Sequence, residues 1–500
     1  MDVFETLRTQ GAMIHALTSD SRQVQPGVAF FAWPGTQVDG RAHIEQALQR
    51  GAAAVVWEQE GFVWRKGWNR PNVPVQGLKQ MAGVLAAQFH GEPSAALWVC
   101  GVTGTNGKTS CSQWIAAALQ AHGIKSGVVG TLGAGPVGEL VAVQNTTPDP
   151  LAIQHLLSQM RDRQVQAVAI EASSHGLQQS RLAGTQIRCA LFTNLSHDHL
   201  DYHGSMQSYA EAKAQLFSAP GLTHAVINMD DAVGVAFAQR ARARGVFVIG
   251  TALSANAIAP GSVDASIQVR QLEMHAHGTH MVVASTWGDV DVRVRQIGRF
   301  NASNLLGVLG CLVAYGLPLH EAVACLTDLP DVPGRMQCLG GGAAPLVVID
   351  YAHTPDALEK VLLALRPIAQ QAAGQLHVVF GAGGDRDATK RPAMGAVAAR
   401  HADRITLTTD NPRSEVPQAI IEAIRAGVGS HPACMHEVDR AQAITTAIRS
   451  AQAHDVVLVA GKGHETWQEI AGQRLAFSDH DVVIRALHSL QQPSTPRGRA

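Results

Sequence analysis

At 500 residues the chain is too long for one ordinary hydrophobic core, and domain-size statistics place about three domains in it. Its 39 Lys and Arg balance 40 Asp and Glu to a formal net charge of -1, which excludes the broad basic field that nucleic-acid binding draws on; any anionic ligand must be held by local groups. The 7 cysteines are scattered, odd in number and free of any C-x-x-C pair, which argues against a disulfide framework and a zinc ribbon and fits a reducing cytoplasm.

Met1 to Arg8 carries charges where a signal peptide needs an apolar stretch. Over residues 1–90, apolar runs at Val28 to Trp33 and Ala52 to Trp57 read as strands and His43 to Arg50 as a helix, while Thr18 to Gly27 reads as a polar loop. Gly91-Glu92-Pro93-Ser94 reads as a linker. Leu97 to Ser110 then reads as a buried apolar strand that runs into a glycine-rich turn, followed by an amphipathic run from Cys111 to His122. Such a turn lets backbone N–H groups and a helix N-terminus converge on an anion, with Lys108 within reach of outer phosphates and the Thr109 hydroxyl available to Mg²⁺. The strict phosphate-loop spacing asks for glycine at Val102, so the match is to the shorter core Gly104-Thr105-Asn106-Gly107-Lys108-Thr109.

Short buried strands at Lys125 to Gly130, Val165 to Ile170, Ile187 to Phe192, Ala225 to Ile227 and Val246 to Ile249 alternate with helical stretches, which predicts a mostly parallel sheet with its ligand site beyond the strand carboxyl ends. Asn145 to Pro150, Glu171 to Gly176 and Thr193 to His199 fall at such ends, and Glu171 reads either as a helix cap or as a carboxylate for Mg²⁺ opposite Thr109. The crowd of His197, Asp198, His199, Asp201 and His203 lacks both a thiolate and an H-E-x-x-H, so Mg²⁺ and phosphate chemistry is favoured over zinc. In the helix former Ser208 to Phe217, Lys213 reads as an ordinary solvated lysine. Leu305 to Leu319 is interrupted by glycines and Pro318 and is shorter than the roughly 20 residues that span a bilayer, so it is expected as a buried helix. After a second linker at Asp331 to Arg335, strands at Leu346 to Ile349, Gln375 to Phe380, Arg404 to Thr408 and Val456 to Val459 each run into a polar loop, all predicted at one end of one sheet.

Gly104 to Thr109, Glu171 to His175, Asn194 to His199, Asn301 with Asn304, and Asp410-Asn411-Pro412-Arg413, in this order, resemble the Mur ligase family of peptidoglycan synthesis over nearly the whole chain. The resemblance implies an α/β chain of three domains. These are a small N-terminal α/β domain for the UDP-substrate (1–90), a central phosphate-loop parallel-sheet ATPase domain (91–334) and a C-terminal Rossmann-like domain for the amino acid (335–490), with a disordered tail at 491–500. It implies a cytoplasmic, monomeric ATP- and Mg²⁺-dependent ligase without membrane insertion or nucleic-acid partner. Its expected substrates are UDP-N-acetylmuramoyl-L-alanyl-D-glutamate and meso-2,6-diaminopimelate.

Residue by residue, the resemblance assigns catalysis to Lys108, Glu171, His199 and Lys213, and ATP to Gly104, Thr105, Asn106, Gly107, Lys108, Thr109, Ser110, Asn301, Asn304, Arg335 and Asp350. Thr109, Glu171, His199 and Lys213, the last as a carbamate, would serve the metal. Ser21, Asn145, Thr146, Thr147, Ser173, Gln179 and Arg181 would contact the UDP-linked dipeptide, and Arg386, Asp410, Asn411, Pro412, Arg413, Gly461 and Glu465 the diaminopimelate. The rivals are the same fold with lysine, a dipeptide or a folate polyglutamate as its substrate, an ATP-binding protein that ligates nothing, and a zinc hydrolase built on His197 to His203. Arg413 favours diaminopimelate, because lysine brings no distal carboxylate to meet it.

Overall fold

The computed structural model describes residues 2–35, 38–254 and 256–491, with Gln491 as backbone only; the tail expectation for 492–500 lies outside the described residues. Two compact units make up the chain: one of Met1–Val269, Val283–Val290 and Ser303–Leu326, the other of Arg270–Val282, Asp291–Ala302 and Thr327–Ala500. Mixed α/β structure runs through both.

In the first unit, β1 (Ala16–Thr18), β2 (Val28–Ala32), β3 (Ala54–Glu58) and β4 (Asn72–Val75) form a parallel sheet in sequential order. The stretch read as a bare loop holds a short 3-10 turn at Ser21–Gln23, because the Asp20 side chain accepts the Arg22 N–H. A ten-stranded sheet follows in chain order, parts of β12 to β14 being assigned to the second unit, built from β5 (Trp98–Thr103), β6 (Ser126–Gly130), β7 (Gly133–Pro136), β8 (Ala167–Glu171), β9 (Cys189–Phe192), β10 (His224–Asn228), β11 (Phe247–Ala252), β12 (Ala265–His275), β13 (Gly278–Ser285) and β14 (Gly288–Val294). Its order is β14-β13-β12-β11-β10-β9-β5-β8-β6-β7. From β12 to β6 neighbouring strands pair parallel, and the edge pair β6–β7 is antiparallel. Residues such as Val99, Val102, Val168 and Ile170 are buried on both sheet faces, which is why these strands read as continuous apolar runs. The chain leaves β5 toward β6 on one side and later builds β9 to β11 on the other. The loop after β5 thus opens at a point where strand order reverses, the usual place for a ligand in such sheets.

The apolar helix expected from Leu305 runs from Arg299 to Tyr315 and stops at Gly316, whose φ of 116° no helix accommodates; a second helix occupies Leu319–Thr327. Among the described residues no helix is long and apolar enough to cross a membrane.

The second unit carries β15 (Gln337–Gly340), β16 (Leu346–Asp350), β17 (Leu376–Phe380), β18 (Arg404–Leu407), β19 (Cys434–His436) and β20 (Val456–Ala460) in the order β15-β16-β20-β17-β18-β19. All neighbours from β16 to β19 are parallel, so the loops after β16, β17, β18 and β20 do share one end of the sheet. A small antiparallel pair, β21 (Trp467–Ile470) and β22 (Gln473–Ala476), folds back beside them through a bridge from Ile470 to Arg413.

Candidate active site

The loop after β5 is shaped by two glycines in backbone states that side chains avoid. Gly104 has φ 152° and Gly107 φ 88°, and a Cβ on Gly107 would stand 2.5 Å from Asn304 Oδ1. Cross-ties from the loop after β9 hold it: Thr105 N–H donates to Asn194 O, Asn106 N–H to Asn194 Oδ1, and Thr193 Oγ1 donates to Asn106 O at 2.6 Å. Lys108 opens the helix Lys108–Ala121, and its Nζ donates to Gly104 O at 2.9 Å and Thr105 O at 2.8 Å. Thr109 and Ser110 are buried in the first turn of that helix.

Glu171, at the end of β8 and fully buried, accepts from Thr109 Oγ1 at 2.9 Å, from Thr131 N at 2.8 Å and from Thr131 Oγ1 at 3.2 Å. Thr131 is a part of this cluster that the sequence reading missed. The clustered hydroxyl and carboxylate oxygens match a hard divalent cation rather than a soft one.

Lys213 departs from its reading as a solvated lysine. It is 1% exposed, donates to Gly104 O at 2.8 Å and lies over the Tyr209 ring at 4.3 Å. Burial, reinforced by the charge of Lys108, holds its ammonium well below the usual lysine range. Its neutral amine is therefore favoured relative to that of a solvated lysine. Nearby, His175 stacks on Tyr202 with ring centroids 4.1 Å apart and meets His199 and His203 edge-on, while His203 Nε2 pairs with Ser174 Oγ. These rings pack on one another instead of converging on a point, which is the geometry of a positioned polar cluster and not of a zinc site. Burial pushes His175 down to about 4. His199, in a left-handed backbone state with φ 53°, sits against Tyr209, and burial holds its imidazole below the usual histidine range, the neighbouring Asp198 opposing and Lys108 and Lys213 adding to the effect.

The residues expected to meet the UDP-linked dipeptide form one network, with two exceptions. Thr147 Oγ1 donates to Glu171 O and pairs with Ser173 Oγ at 2.8 Å, Arg181 donates to Thr147 O and to Gln179 Oε1, and Thr146 Oγ1 pairs with Thr131 Oγ1. This network grows from the same strand end as Glu171. Ser21 lies outside it, its hydroxyl donating to Gln46 Oε1, and Asn145 is exposed at the start of its loop.

In the second unit, Asn411 Nδ2 donates to Glu465 Oε2 at 2.8 Å, and Gly461, with φ 115°, presses against the Asp410 carboxylate. Arg413, at φ 52°, sends its guanidinium to Gly384 O and toward Glu469, while Pro412 backs onto Gly384 and Arg386 stands exposed on the loop after β17. Lys462, which sequence reasoning passed over, is fully buried and clamps this group: Nζ is 2.8 Å from Glu465 Oε2 and 3.0 Å from Asn411 Oδ1. Beneath lies a buried ion pair in which Arg440 holds both oxygens of Asp479 and donates to Thr409 O and Ala460 O, tying the ends of β18 and β20. Of the residues assigned to ATP, Asn301, Arg335 and Asp350 belong to this unit. Asp350 accepts from Met336 N and Ala352 N, its carbonyl accepts from Gly461 N, and burial raises its carboxyl. Arg335 lies over the Tyr351 ring, and Asn301 bonds back to Ile297 O.

A phosphate-loop sheet with buried carboxylate and lysine, followed by a parallel-sheet unit with a charged loop cluster, defines a nucleotide-linked ligase architecture. Models of the Mur ligase family, catalytic domain, the Mur ligase middle domain and the Mur ligase, glutamate ligase domain match residues 13–90, 102–312 and 334–463. The chain belongs to the Mur ligase family. It is 49% identical over 469 residues, 94% of each chain, to the UDP-N-acetylmuramoyl-L-alanyl-D-glutamate–2,6-diaminopimelate ligase of Ectopseudomonas mendocina, and 47% identical over 482 residues, 96% of each, to that of Chromobacterium violaceum. A solved structure of a ligase of the same name covers 96% of both chains at 35% identity with a TM-score of 0.71. At 17% identity, a Mycobacterium tuberculosis folylpolyglutamate synthase solved with ADP covers 77% of this chain and 92% of its own, with a TM-score of 0.59, and shares the fold.

Proposed function

We propose that the protein joins meso-2,6-diaminopimelate to the D-glutamate carboxylate of UDP-N-acetylmuramoyl-L-alanyl-D-glutamate, using ATP and Mg²⁺, in the cytoplasm. The observation that carries this is near-full-length identity of 45–49% to several proteins named for that reaction. A carboxylate is a poor electrophile; phosphorylation by ATP gives it a leaving group, and attack by the acceptor amine on the acyl phosphate yields amide, ADP and phosphate. The protein's task is alignment of charged reactants and neutralisation of phosphate charge.

In this reading Lys108 and the loop N–H groups bind phosphates, and Thr109, Glu171 and His199, with Lys213 as a carbamate, would hold Mg²⁺, which when bound would supply positive charge for phosphoryl transfer. The neutral amine of Lys213 would add to CO₂: an N–C bond forms, one proton leaves the nitrogen, and the neutral amine becomes a carbamate anion compatible with Mg²⁺. Thr146, Thr147, Ser173, Gln179 and Arg181 orient the dipeptide end of the UDP-substrate. Arg413 and Arg386 receive the distal carboxylate of diaminopimelate and Glu465 its ammonium, with Lys462 fixing Glu465 in place.

The test is phosphate release in the presence of the UDP-linked dipeptide and one amino acid at a time. Diaminopimelate is expected to stimulate release and lysine not, since a site built around a charged partner rejects an analogue lacking it by about 10⁴-fold. Arg413→Ala should raise KM for diaminopimelate at least about tenfold, leave KM for ATP near its starting value and narrow the ratio of kcat/KM between the two amino acids. A wild type that prefers lysine, or a ratio unmoved by the substitution, overturns the acceptor assignment.

A further inference from the structure

Cysteines that are far apart in sequence meet in the core of the first unit. Cys100 on β5 and Cys189 on β9 are direct register partners, and Cys311 projects from the helix Arg299–Tyr315 onto both. Their sulfurs stand 3.8 Å (Cys100 to Cys311) and 3.9 Å (Cys189 to Cys311) apart, and all three lie within 4.8 Å of one another, each with zero exposure. Among the described residues this is the one cluster of His, Cys, Asp or Glu that closes on a single point. Sulfurs held about 2.3 Å from a central atom in a trigonal array are about 4 Å apart, so the thiols already stand at the edges of a three-sulfur ligand set.

We propose that Cys100, Cys189 and Cys311 form a binding site for a trivalent thiophilic metalloid, of the arsenite or antimonite class. Charge selects the occupant. Three thiolates around a monovalent or divalent ion leave net negative charge in a fully buried site, where uncompensated charge is costly. A trivalent centre leaves none. The free metalloid hydroxide is also neutral, so it can enter a packed core without carrying charge through it. The step balances: three metalloid–oxygen bonds break and three metalloid–sulfur bonds form, each thiol gives its proton to a departing hydroxide, three waters leave, and no oxidation state changes. The trio joins β5, whose end carries the phosphate loop, to the helix that presents Asn304 to Gly107, so occupancy pins the frame of that loop.

The experiment is arsenite titration of the reduced full-length protein, followed by native mass spectrometry, arsenic-edge X-ray absorption and thermal unfolding. Expected are one bound arsenic with the loss of three protons, an all-sulfur shell of three ligands, and a Tm that rises with arsenite because the folded chain presents the three thiols pre-arranged and binds it more tightly than the unfolded chain. Cys311→Ala, a small-for-small change checked by circular dichroism, should lose the three-sulfur shell. A two-sulfur shell, a signal kept in Cys311→Ala and lost when the less buried Cys325, Cys338 and Cys434 are replaced, or tighter binding of cadmium than of arsenite overturns the proposal. The wild-type absorption spectrum decides the ligand count even if the variant does not fold.

Discussion

Two lysine ammonium groups share one acceptor in this protein: Lys108 and Lys213 both donate to the Gly104 carbonyl, at 2.9 and 2.8 Å. Such an arrangement is repulsive unless one nitrogen is neutral or has changed sign, and the buried Lys213 is the one whose charge is disfavoured. Lys213→Ala should therefore lower kcat by several orders of magnitude with the fold retained, and short carboxylates such as acetate should restore part of it. Labelled bicarbonate should add a carbamate carbon resonance to the wild type that the variant lacks. An active wild type with only an unmodified ammonium at this position refutes the assignment. Lys108 was singled out because Gly107 and Thr109 flank it in sequence, and the structure places it at the start of the helix that follows the glycine-rich turn. The burial of Lys213, like that of Lys462, comes from chain more than a helix away or from a reversed loop, and composition gives a lysine in a polar helix no mark of it.

At the scale of elements, the buried parallel strands β5, β8, β9, β16, β17 and β20 were readable because apolar runs with polar loops behind them admit few other folds. The strands β12 to β14 were not read, although Ala265, Ile267 and Val269 alternate buried with half-buried neighbours; the charged and polar residues between them masked the period of two. The turn of the phosphate loop is the element whose geometry is least tolerant of change. At Gly107 a Cβ meets both a left-handed φ of 88° and Asn304 Oδ1 at 2.5 Å. Gly107→Ala should lower stability by about 1–2 kcal/mol and raise KM for ATP at least about tenfold, because the turn must open to house the methyl group. Denaturant melts and steady-state kinetics on the same preparation measure both. Wild-type affinity for ATP in the variant would mean that the loop is softer than its contacts indicate.

Taken as a whole molecule, the chain buries ionisable groups in both units, and this fixes how it responds to acid. His90 and His175 in the first unit and His377 and His464 in the second are each pushed down to about 4, with burial the main cause. In the unfolded chain such groups titrate near 6.5, so between roughly pH 6.5 and 4 the unfolded state binds protons that the folded state refuses. Their contribution to stability is complete above about pH 6.5 and is lost as pH falls toward 4. Asp350 acts in the opposite sense: its raised carboxyl makes the folded state the better proton acceptor near its titration, and it offsets part of the loss. His377 isolates the effect, since it is 2% exposed, lies near the start of β17, at the end away from the loop that carries Arg386, and holds only Thr406 Oγ1 through Nε2 while Nδ1 has no partner. Urea midpoints of the wild type should fall steadily from pH 7 to pH 4.5. In His377→Gln, which keeps a group able to bond Thr406 but cannot take up a proton, the fall should be shallower by at most about 3 kcal/mol over the same range. Parallel curves for the two proteins would show that this imidazole is protonated as readily in the folded core as in water.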